Sequence, residues 1–383
     1  MKRLDLEQKA RKALRTMKQS GLATIIFWNA LVLLILIGVG EIACRLAVTY
    51  NPSYYTSIDV QGRDLIYPYG VVKMNAHGHP DDEFDLNDPR PRIAYVGDSV
   101  TWGVGAGHGY RFSDLLERKL PGFQHMTLAS INDGFRTKKR MDYVKNQAET
   151  LGVDHVIYFY NLNDTLPDVD EAKAPIPPSI RAKPLRRAEI LSSEMLTDVI
   201  NVVRVNTEGL RNTSYLFNWL RFKVRVLLLR LGIEHHGEEA YELYPEKNKN
   251  VIAETATRIR YLNDMLKAEG IGFLVVLVPY EMQISEDAAR TYASLGISWE
   301  QGFLNRRLQQ LLAQHLEPEI RTIDAYEAFV DTPKDRDQIK VGELFVYDEG
   351  DSLDWNHPNR EGHKKIAAFL ETHPLFLDTI KGH

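Results

Sequence analysis

Between residues 92 and 372 the sequence alternates short apolar runs with longer segments of helical periodicity. The runs are short and continuously apolar, a pattern typical of strands that are buried on both faces. The predicted strands are Ile93–Val96, Gln124–Ala129, His155–Tyr160, Gly272–Val278 and Ile320–Ile323. The predicted helices are Arg111–Leu120, Arg136–Leu151, Val251–Glu269, Ser298–Leu316 and Arg360–Glu371, the last capped by Asn359. This alternation predicts an α/β fold with a central parallel sheet covered by helices on both faces.

A long insertion, residues 165–250, separates the third strand from the next helix. Its first part contains five prolines, which prevent regular helix there. Its later part, Tyr215–Leu231, is an apolar run punctuated by Arg221, Lys223, Arg225 and Arg230, and the charges argue against a membrane span. Two interpretations stay open for this run. In the first, the run forms a helix that lies on the bilayer surface or over a functional site. In the second, the helix packs on the domain with its arginines extended to water. The sequence favours the second interpretation.

The N-terminus combines a basic segment with an apolar one. Residues 1–20 contain seven lysines and arginines against two acidic residues, and residues 21–40 are almost entirely apolar. Twenty helical residues span about 30 Å, the thickness of a bilayer core. We therefore expect residues 21–43 to form an uncleaved transmembrane anchor, with residues 1–20 in the cytoplasm. A cleaved signal peptide is the alternative, although no alanine-type cleavage site follows the run.

The anchor predicts a single-pass protein of the inner membrane whose larger part is exported to the periplasm or the cell exterior. Residues 44–91 are rich in turn signals and are predicted to be a membrane-proximal segment. Residues 92–383 are then the folded domain, with the insertion at 165–250. Asn29, a polar residue inside the apolar run, could contact partner membrane proteins.

Composition narrows the function classes. The formal net charge of −5 argues against a nucleic-acid binder. Cys44 is the only cysteine, so neither an intrachain disulfide nor a cysteine-based metal site can form.

The histidines are not expected to bind a metal. Side chains of adjacent residues point apart, so Glu234, His235 and His236 are expected to form a surface turn and not a metal site. His77 and His79 are likewise expected to face solvent. His363 is expected to be structural, and no metal or cofactor is predicted.

Side chains with catalytic potential lie near both ends of the predicted domain. The first strand ends in Gly97-Asp98-Ser99, so a buried strand delivers a serine hydroxyl to the edge of the sheet. Asp354 and His357 are three residues apart just before the helix at 360, so one loop can carry both. Serine needs a base, usually a histidine oriented by a carboxylate. The combination predicts Ser99 as nucleophile, His357 as base and Asp354 as its orienting group.

Asn161-Leu-Asn-Asp164 follows the third strand directly. The carboxyl ends of parallel strands form the binding edge of such sheets. An asparagine side chain there can donate a hydrogen bond to an oxyanion that forms beside Ser99. Asn163 is therefore a candidate donor, and the alternative is an ordinary turn at the end of a strand.

These motifs resemble those of the SGNH/GDSL hydrolase family. The first is Gly97-Asp98-Ser99, the third is Asn163-Asp164 and the last is Asp354-x-x-His357, so the resemblance covers residues 92–372 without the insertion. It implies a flavodoxin-like three-layer α/β/α domain. It also implies an oxyanion hole formed by the Ser99 N–H, a glycine N–H and the Asn163 side chain. The second motif, residues 129–134, fits only with one extra residue, which makes Gly134 the candidate glycine.

The resemblance departs from the family at Asn161, where a glycine is usual. The layout also resembles a bacterial subgroup with an N-terminal anchor and an exported domain, often linked to envelope or extracellular polysaccharide. We therefore expect a serine esterase that acts on acyl esters, with O-acetyl groups of carbohydrate or envelope polymers as the substrate. One alternative is an O-acyltransferase that uses the same triad on a glycan acceptor. The other is a non-catalytic subunit of an envelope assembly.

Overall fold

The computed structural model describes residues 2–50, 65–67, 70–72, 74–129, 137–165, 210, 213–231, 249–297, 299, 303–347 and 354–382. Its strands are β1 (Leu65–Tyr67), β2 (Gly70–Val72), β3 (Arg92–Gly97), β4 (Gln124–Thr127), β5 (His155–Tyr160), β6 (Gly272–Leu277) and β7 (Thr322–Asp324). The helices are α1 (Lys2–Tyr50), α2 (Ser99–Trp102), α3 (Phe112–Lys119), α4 (Lys138–Thr150), α5 (Tyr215–Arg230), α6 (Lys249–Ala268), α7 (Glu281–Ile284), α8 (Glu286–Ser294), α9 (Arg307–Leu316), α10 (Arg360–Thr372) and α11 (Pro374–Lys381).

Five parallel strands form the central sheet in the order β4-β3-β5-β6-β7. Numbered along the chain, this is the order 2-1-3-4-5 of flavodoxin-like folds. The strand order reverses between β3 and β5, where Gly97 lies opposite Phe159. Ligand sites in open α/β sheets lie at this reversal, beyond the carboxyl ends of the strands. The predicted parallel α/β fold is confirmed.

Alternate residues of each strand supply two separate cores. One face of the sheet carries Ala94, Val96, Tyr158 and Val275 and is covered by α4, α6, α8 and α9. The other face carries Ile93, Tyr95, Phe159 and Val276 and is covered by α3, α10 and α11. Because both faces are buried, β3, β5 and β6 carry continuous apolar runs instead of alternating ones.

Several helix boundaries differ from the sequence prediction. The helix predicted to begin at Ser298 begins at Arg307, because Arg306 adopts a left-handed conformation (φ 62°) at its N-terminus. The short helices α7 and α8 were not predicted. Asn359 caps α10 as expected, since its Oδ1 accepts the N–H groups of Glu361 and Gly362. That helix is not the last one, because Pro374 starts α11.

Residues before Arg92 already belong to the packed domain. Asp81 is buried, and its Oδ2 accepts the Thr127 N–H at 2.6 Å. His79 is 1% exposed, and its Nε2 lies 3.2 Å from Gln147 Oε1. The expectation that His79 faces solvent is therefore wrong. Its burial lowers the pKa of the imidazole to about 4, so it is neutral at pH 7.

The N-terminal helix α1 is one continuous helix over the predicted basic and apolar segments. Within it, Ala23–Leu46 is long and apolar enough to cross a membrane, and none of this stretch is buried inside the protein. Much of the insertion at 165–250 lies outside the described residues. Its described part consists of residues 165, 210, 213–231 and 249–250, within which α5 contacts both α1 and the domain.

Candidate active site

A sharp turn between β3 and α2 presents Ser99. Asp98 caps α2 by accepting the Val100 N–H at 2.9 Å, which fixes Ser99 as the first residue of the helix. The turn requires a glycine at position 97. A Cβ there would lie 2.2 Å from Thr101 Oγ1 and 2.9 Å from the carbonyl oxygen of Phe159 on the neighbouring strand. The Gly-Asp-Ser sequence is therefore explained by local geometry.

The three residues predicted as a triad lie together. His357 Nε2 lies 2.8 Å from Ser99 Oγ, and His357 Nδ1 lies 2.6 Å from Asp354 Oδ2. An ionised carboxylate can only accept, so we assign the imidazole proton to Nδ1. Nε2 is then unprotonated and can accept the serine proton. Asp98 Oδ2 is farther from Ser99 Oγ, at 3.4 Å, so the hydroxyl is directed to the imidazole.

The carboxylate of Asp354 is held from both sides. Its Oδ1 accepts the N–H groups of Asn356 and His357 at 2.8 and 3.1 Å. Its side chain is almost completely buried. The hydroxyl of Tyr292 lies 2.6 Å from the Asp354 carbonyl oxygen. These bonds fix the Asp354 side chain and main chain, and so the direction of the imidazole.

Behind this loop, Tyr292 also contacts a buried glutamate that the sequence analysis did not single out. Glu281 Oε2 lies 2.6 Å from the Tyr292 hydroxyl, and Glu281 is fully buried. Burial raises the pKa of Glu281 to about 8, so its neutral form predominates at pH 7. A neutral Glu281 can donate its proton to the Tyr292 oxygen while Tyr292 donates to Asp354. No local sequence signal marks this chain of contacts, because it joins residues far apart in sequence.

Close packing against the loop after α2 fixes the position of His357. The Val346 N–H donates to the His357 carbonyl at 2.8 Å. Gly105 has a φ of +86°, and a Cβ there would lie 2.4 Å from Val346 Cγ2 and 2.9 Å from the Pro358 carbonyl oxygen. This glycine therefore allows the segment that follows Ser99 (the serine loop) to touch the segment that carries Asp354, His357 and Pro358 (the histidine loop).

Two of the three residues predicted for the oxyanion hole, Ser99 and Asn163, lie in the described part of the chain. Asn163 lies in a 3₁₀ turn, Leu162–Thr165, directly after β5 and is partly buried. Its side chain has no hydrogen bond within the described part of the chain, so its amide is available to a ligand. Ser99 is in the first turn of α2, where backbone N–H groups have no partner within the helix. Gly134 lies outside the described residues.

Asn161, where the family usually has glycine, is fully buried beside this turn. Its Oδ1 lies 3.4 Å from the backbone nitrogen of Asn163, and its Nδ2 has no partner among the described residues. Asn161 therefore contributes to the shape of the turn that carries Asn163.

A cluster of polar side chains around Arg111 has a structural role. Asp81, His108 and Asp114 lie close enough together to hold a metal ion. The guanidinium of buried Arg111 already binds both carboxylates and lies 3.3 Å from His108 Nδ1, so a fixed cation is present there.

His363 is buried, and its Nδ1 accepts the Phe112 N–H at 3.1 Å. Burial lowers the pKa of His363 to about 3, consistent with a structural role. Glu234, His235 and His236 lie outside the described residues.

Among solved structures that resemble this chain are GDSL-type hydrolases. A member of the lipolytic protein G-D-S-L family from Veillonella parvula shares 11% sequence identity at a TM-score of 0.35, over 74% of this chain and 97% of that chain. Est24, a carbohydrate acetylesterase from Sinorhizobium meliloti, shares 12% identity at a TM-score of 0.35, over 75% of this chain and all of that one. The sequence matches no family model and no curated protein.

Proposed function

We propose that this protein is a serine esterase of the SGNH/GDSL type. The observation that carries the proposal is the continuous chain of contacts from Ser99 Oγ to His357 and from His357 to Asp354, at 2.8 and 2.6 Å. In the first step Ser99 Oγ attacks the ester carbonyl, and its proton moves to His357 Nε2. Asp354 stabilises the imidazolium that forms. The tetrahedral intermediate then collapses as His357 protonates the leaving alcohol, which leaves an acyl group on Ser99.

The second half of the cycle regenerates the serine. His357 takes a proton from a water molecule as that water attacks the acyl carbonyl. The imidazolium then returns the proton to Ser99 Oγ as the bond to the acyl group breaks and the carboxylic acid leaves. In both halves the carbonyl oxygen becomes negatively charged. We assign its stabilisation to the Ser99 N–H, the Asn163 amide and a third donor at Gly134. A donor of this kind contributes about 3–4 kcal/mol to transition-state stabilisation.

We further propose that the substrate is an acylated carbohydrate or envelope polymer, most simply an O-acetyl ester. The support is the apolar stretch of α1, which is long enough to anchor the domain in the inner membrane with the active site exported. Such an enzyme would meet polymeric esters of the envelope in place of cytoplasmic metabolites.

An acyl-Ser99 intermediate can also pass its acyl group to a sugar hydroxyl, because the same base activates either water or an alcohol. Supplying the enzyme with an acylated donor and a glycan acceptor separates the two outcomes. Free acid alone supports hydrolysis, whereas an acylated glycan supports transfer.

The primary test is covalent labelling of the purified full chain with a fluorophosphonate probe. We expect labelling of the wild type and its loss in both Ser99→Ala and His357→Ala. Ser294→Ala, which alters an exposed serine on α8, is the matched control and should label normally. Normal labelling of Ser99→Ala, or an unlabelled wild type, would contradict the proposal and favour a non-catalytic subunit.

A further inference from the structure

The insertion helix α5 has one face packed on the domain. Its buried residues recur every three or four positions, and they are Asn218, Phe222, Val226 and Leu229. The three apolar ones belong to the core cluster on the α4, α6 and α9 side of the sheet. Phe222 contacts the ring of Tyr347 edge-on, with 5.5 Å between the ring centroids. This face explains why α5 is attached to the domain, but it uses only part of the helix surface.

The opposite face of α5 is apolar and exposed. Leu220, Val224, Leu227 and Leu231 form a stripe along the helix and are 47–60% exposed. We call these four residues the exposed stripe. Trp219 lies beside it and is 38% exposed. An apolar face of this length in contact with water is costly, and on a globular protein it marks an interaction surface.

Basic side chains flank the exposed stripe on both sides. Helical geometry places Lys223 and Arg230 on one flank and Arg221 and Arg225 on the other. Residues 213–231 contain no aspartate or glutamate. An apolar stripe bordered by lysine and arginine is typical of helices that lie in the plane of a membrane interface, where the cations meet anionic headgroups.

The first turn of α5 is joined to α1. The carboxylate of Glu41 accepts the Ser214 hydroxyl at 2.8 Å and the N–H groups of Tyr215 and Leu216 at 3.0 and 2.9 Å. Arg45 donates to the Thr213 carbonyl at 2.8 Å. Glu41 therefore satisfies N–H groups that a helix start leaves without partners. The N-terminus of α5 is held at a defined height along α1.

That height coincides with the end of the apolar segment. Glu41 is the first charged residue after the run of residues 21–40. At Gly40 the two helices approach closely, since a Cβ there would lie 3.0 Å from Leu216 Cδ2. If α1 spans a bilayer, residue 41 lies where the helix leaves the hydrocarbon. The beginning of α5 then lies at the outer surface of the same membrane.

We propose that α5 is a second membrane contact, an interfacial helix whose exposed stripe lies in the outer leaflet of the bilayer that α1 spans. The ligand is an anionic phospholipid surface, recognised by the exposed stripe and by the exposed cations Lys223 and Arg230. The proposal rests on the proposed transmembrane anchor. Two contacts fix the orientation of the domain, which a single helix would leave free to rotate.

Few contacts separate α5 from the active site. Tyr347, which packs on α5 through Phe222, also contacts the triad loop, since its carbonyl lies 3.4 Å from the Asp354 nitrogen. The membrane-bound helix is thus packed directly behind the loop that carries Asp354 and His357. The active site is held at a fixed distance from the bilayer, as suits an enzyme whose polymeric substrate lies near the membrane.

The test measures the membrane depth of single positions in the full-length protein. In a Cys44→Ser background, one cysteine is introduced and labelled with an environment-sensitive fluorophore. The test position is Leu227→Cys in the exposed stripe. Lys364→Cys is the matched exposed control on α10, which packs on the other face of the sheet, and Leu33→Cys reports the anchor. Proteins are reconstituted in phosphatidylcholine vesicles containing 30% phosphatidylglycerol and nitroxide-labelled lipids.

We expect nitroxide lipids to quench the Leu227 label at a depth of about 5–10 Å below the headgroups. The Lys364 label should remain accessible to aqueous iodide and unquenched by lipid. A quenched Leu33 label with an unquenched Leu227 label would overturn the proposal and leave the anchor intact, as when a protein partner covers α5. If neither Leu33 nor Leu227 is quenched, the anchor fails and the proposal fails with it.

The charge of the lipid supplies an independent arm. In the double variant Lys223→Gln/Arg230→Gln, we expect weaker quenching of the Leu227 label in anionic vesicles, because two exposed cations no longer attract the surface. In vesicles of phosphatidylcholine alone, the two proteins should differ little. Equal quenching of the variant and its parent in anionic vesicles would overturn the proposed role of the cations.

Discussion

At the scale of single residues, the site depends on which atom carries each proton. Asp354 accepts from His357 Nδ1 and from two backbone N–H groups, so the imidazole presents an unprotonated Nε2 to Ser99. The residue types alone do not establish this arrangement. It follows from the geometry of a short loop in which the acid and the base are three residues apart.

Asp354→Asn tests this assignment. The amide can keep the backbone N–H contacts through its oxygen, but its NH₂ group then faces His357 Nδ1 and favours the wrong tautomer. We expect the kcat for ester hydrolysis to fall about 10³–10⁴-fold with little change in KM. Steady-state kinetics on a soluble ester measure this change. A fall of less than about tenfold would show that Asp354 does not orient the base.

Asn163→Ala tests the proposed oxyanion donor. The Asn163 side chain has no hydrogen bond in the described part of the chain, so its loss should leave the thermal unfolding temperature nearly unchanged. The kcat should fall about 10²–10³-fold, because the developing negative charge loses a donor. An unchanged kcat would remove Asn163 from the oxyanion hole. A parallel fall in unfolding temperature would identify a structural role instead.

Glu281 gives the protein a pH-dependent stability. Burial raises its folded-state pKa to about 8, above the ordinary value of 4.5, so the folded protein binds a proton that the unfolded chain releases. The contribution of this proton to the free energy of unfolding is complete below pH 4.5. It is lost as the pH rises towards 8, by about 1.4 kcal/mol per pH unit in that window.

Glu281→Gln mimics the neutral acid and has no proton to lose. We expect its unfolding temperature to decrease less than that of the wild type between pH 5.5 and 8. Differential scanning calorimetry at both pH values measures the difference. Parallel pH profiles of variant and wild type would show that Glu281 does not titrate in this range.

At the scale of elements, the site is a meeting of two loops. The serine loop follows β3, at the strand-order reversal, and the histidine loop precedes α10. Gly105 lets their backbones touch, because a side chain there would collide with Val346 and Pro358. Within the glycine-rich sequence after Ser99, Gly105 thus serves the packing of one loop against the other.

Gly105→Ala and Gly109→Ala separate strain from collision. Both glycines have positive φ, so each substitution should cost about 1–2 kcal/mol through backbone strain. A Cβ at Gly109 meets nothing within 4 Å, whereas a Cβ at Gly105 meets the histidine loop. We expect a larger loss of stability and a clear loss of kcat only in Gly105→Ala. Similar losses of both quantities in the two variants would contradict this account of the contact between the loops.

At the scale of the whole molecule, the N-terminal helix α1 and the domain are joined through α5. Glu41 accepts hydrogen bonds from the first turn of α5, while Phe222 and Val226 hold the same helix in the domain core. Movement of α1 relative to the domain would therefore have to break one of these two sets of contacts.

Glu41→Ala tests this connection in the full chain. Loss of a capping acceptor costs about 1 kcal/mol, so amide hydrogen exchange in Tyr215–Arg230 should accelerate about fivefold. Exchange in Lys249–Ala268, which packs on the sheet, should not change. The neighbouring substitution Cys44→Ala is the control. Equal exchange in α5 of both variants would mean that Glu41 does not stabilise α5.

The amino-acid pattern was sufficient to predict the parallel α/β fold, because continuously apolar strands can be buried only between two layers of helices. It also predicted Ser99, Asp354 and His357 as a triad and Asn163 as an oxyanion donor, since each lies near a strand end or helix start with a recognisable local pattern. The apolar stretch in α1 was equally visible, because its length and composition match a bilayer.

The long-range contacts could be seen only in the folded protein. The burial of His79 and Asp81, the chain from Glu281 through Tyr292 to Asp354, and the attachment of Glu41 to α5 each join residues distant in sequence. Hydrophobic periodicity reports which face of an element is buried, but not which element buries it. A buried carboxyl is neutral or charged according to those neighbours, so its protonation follows from packing.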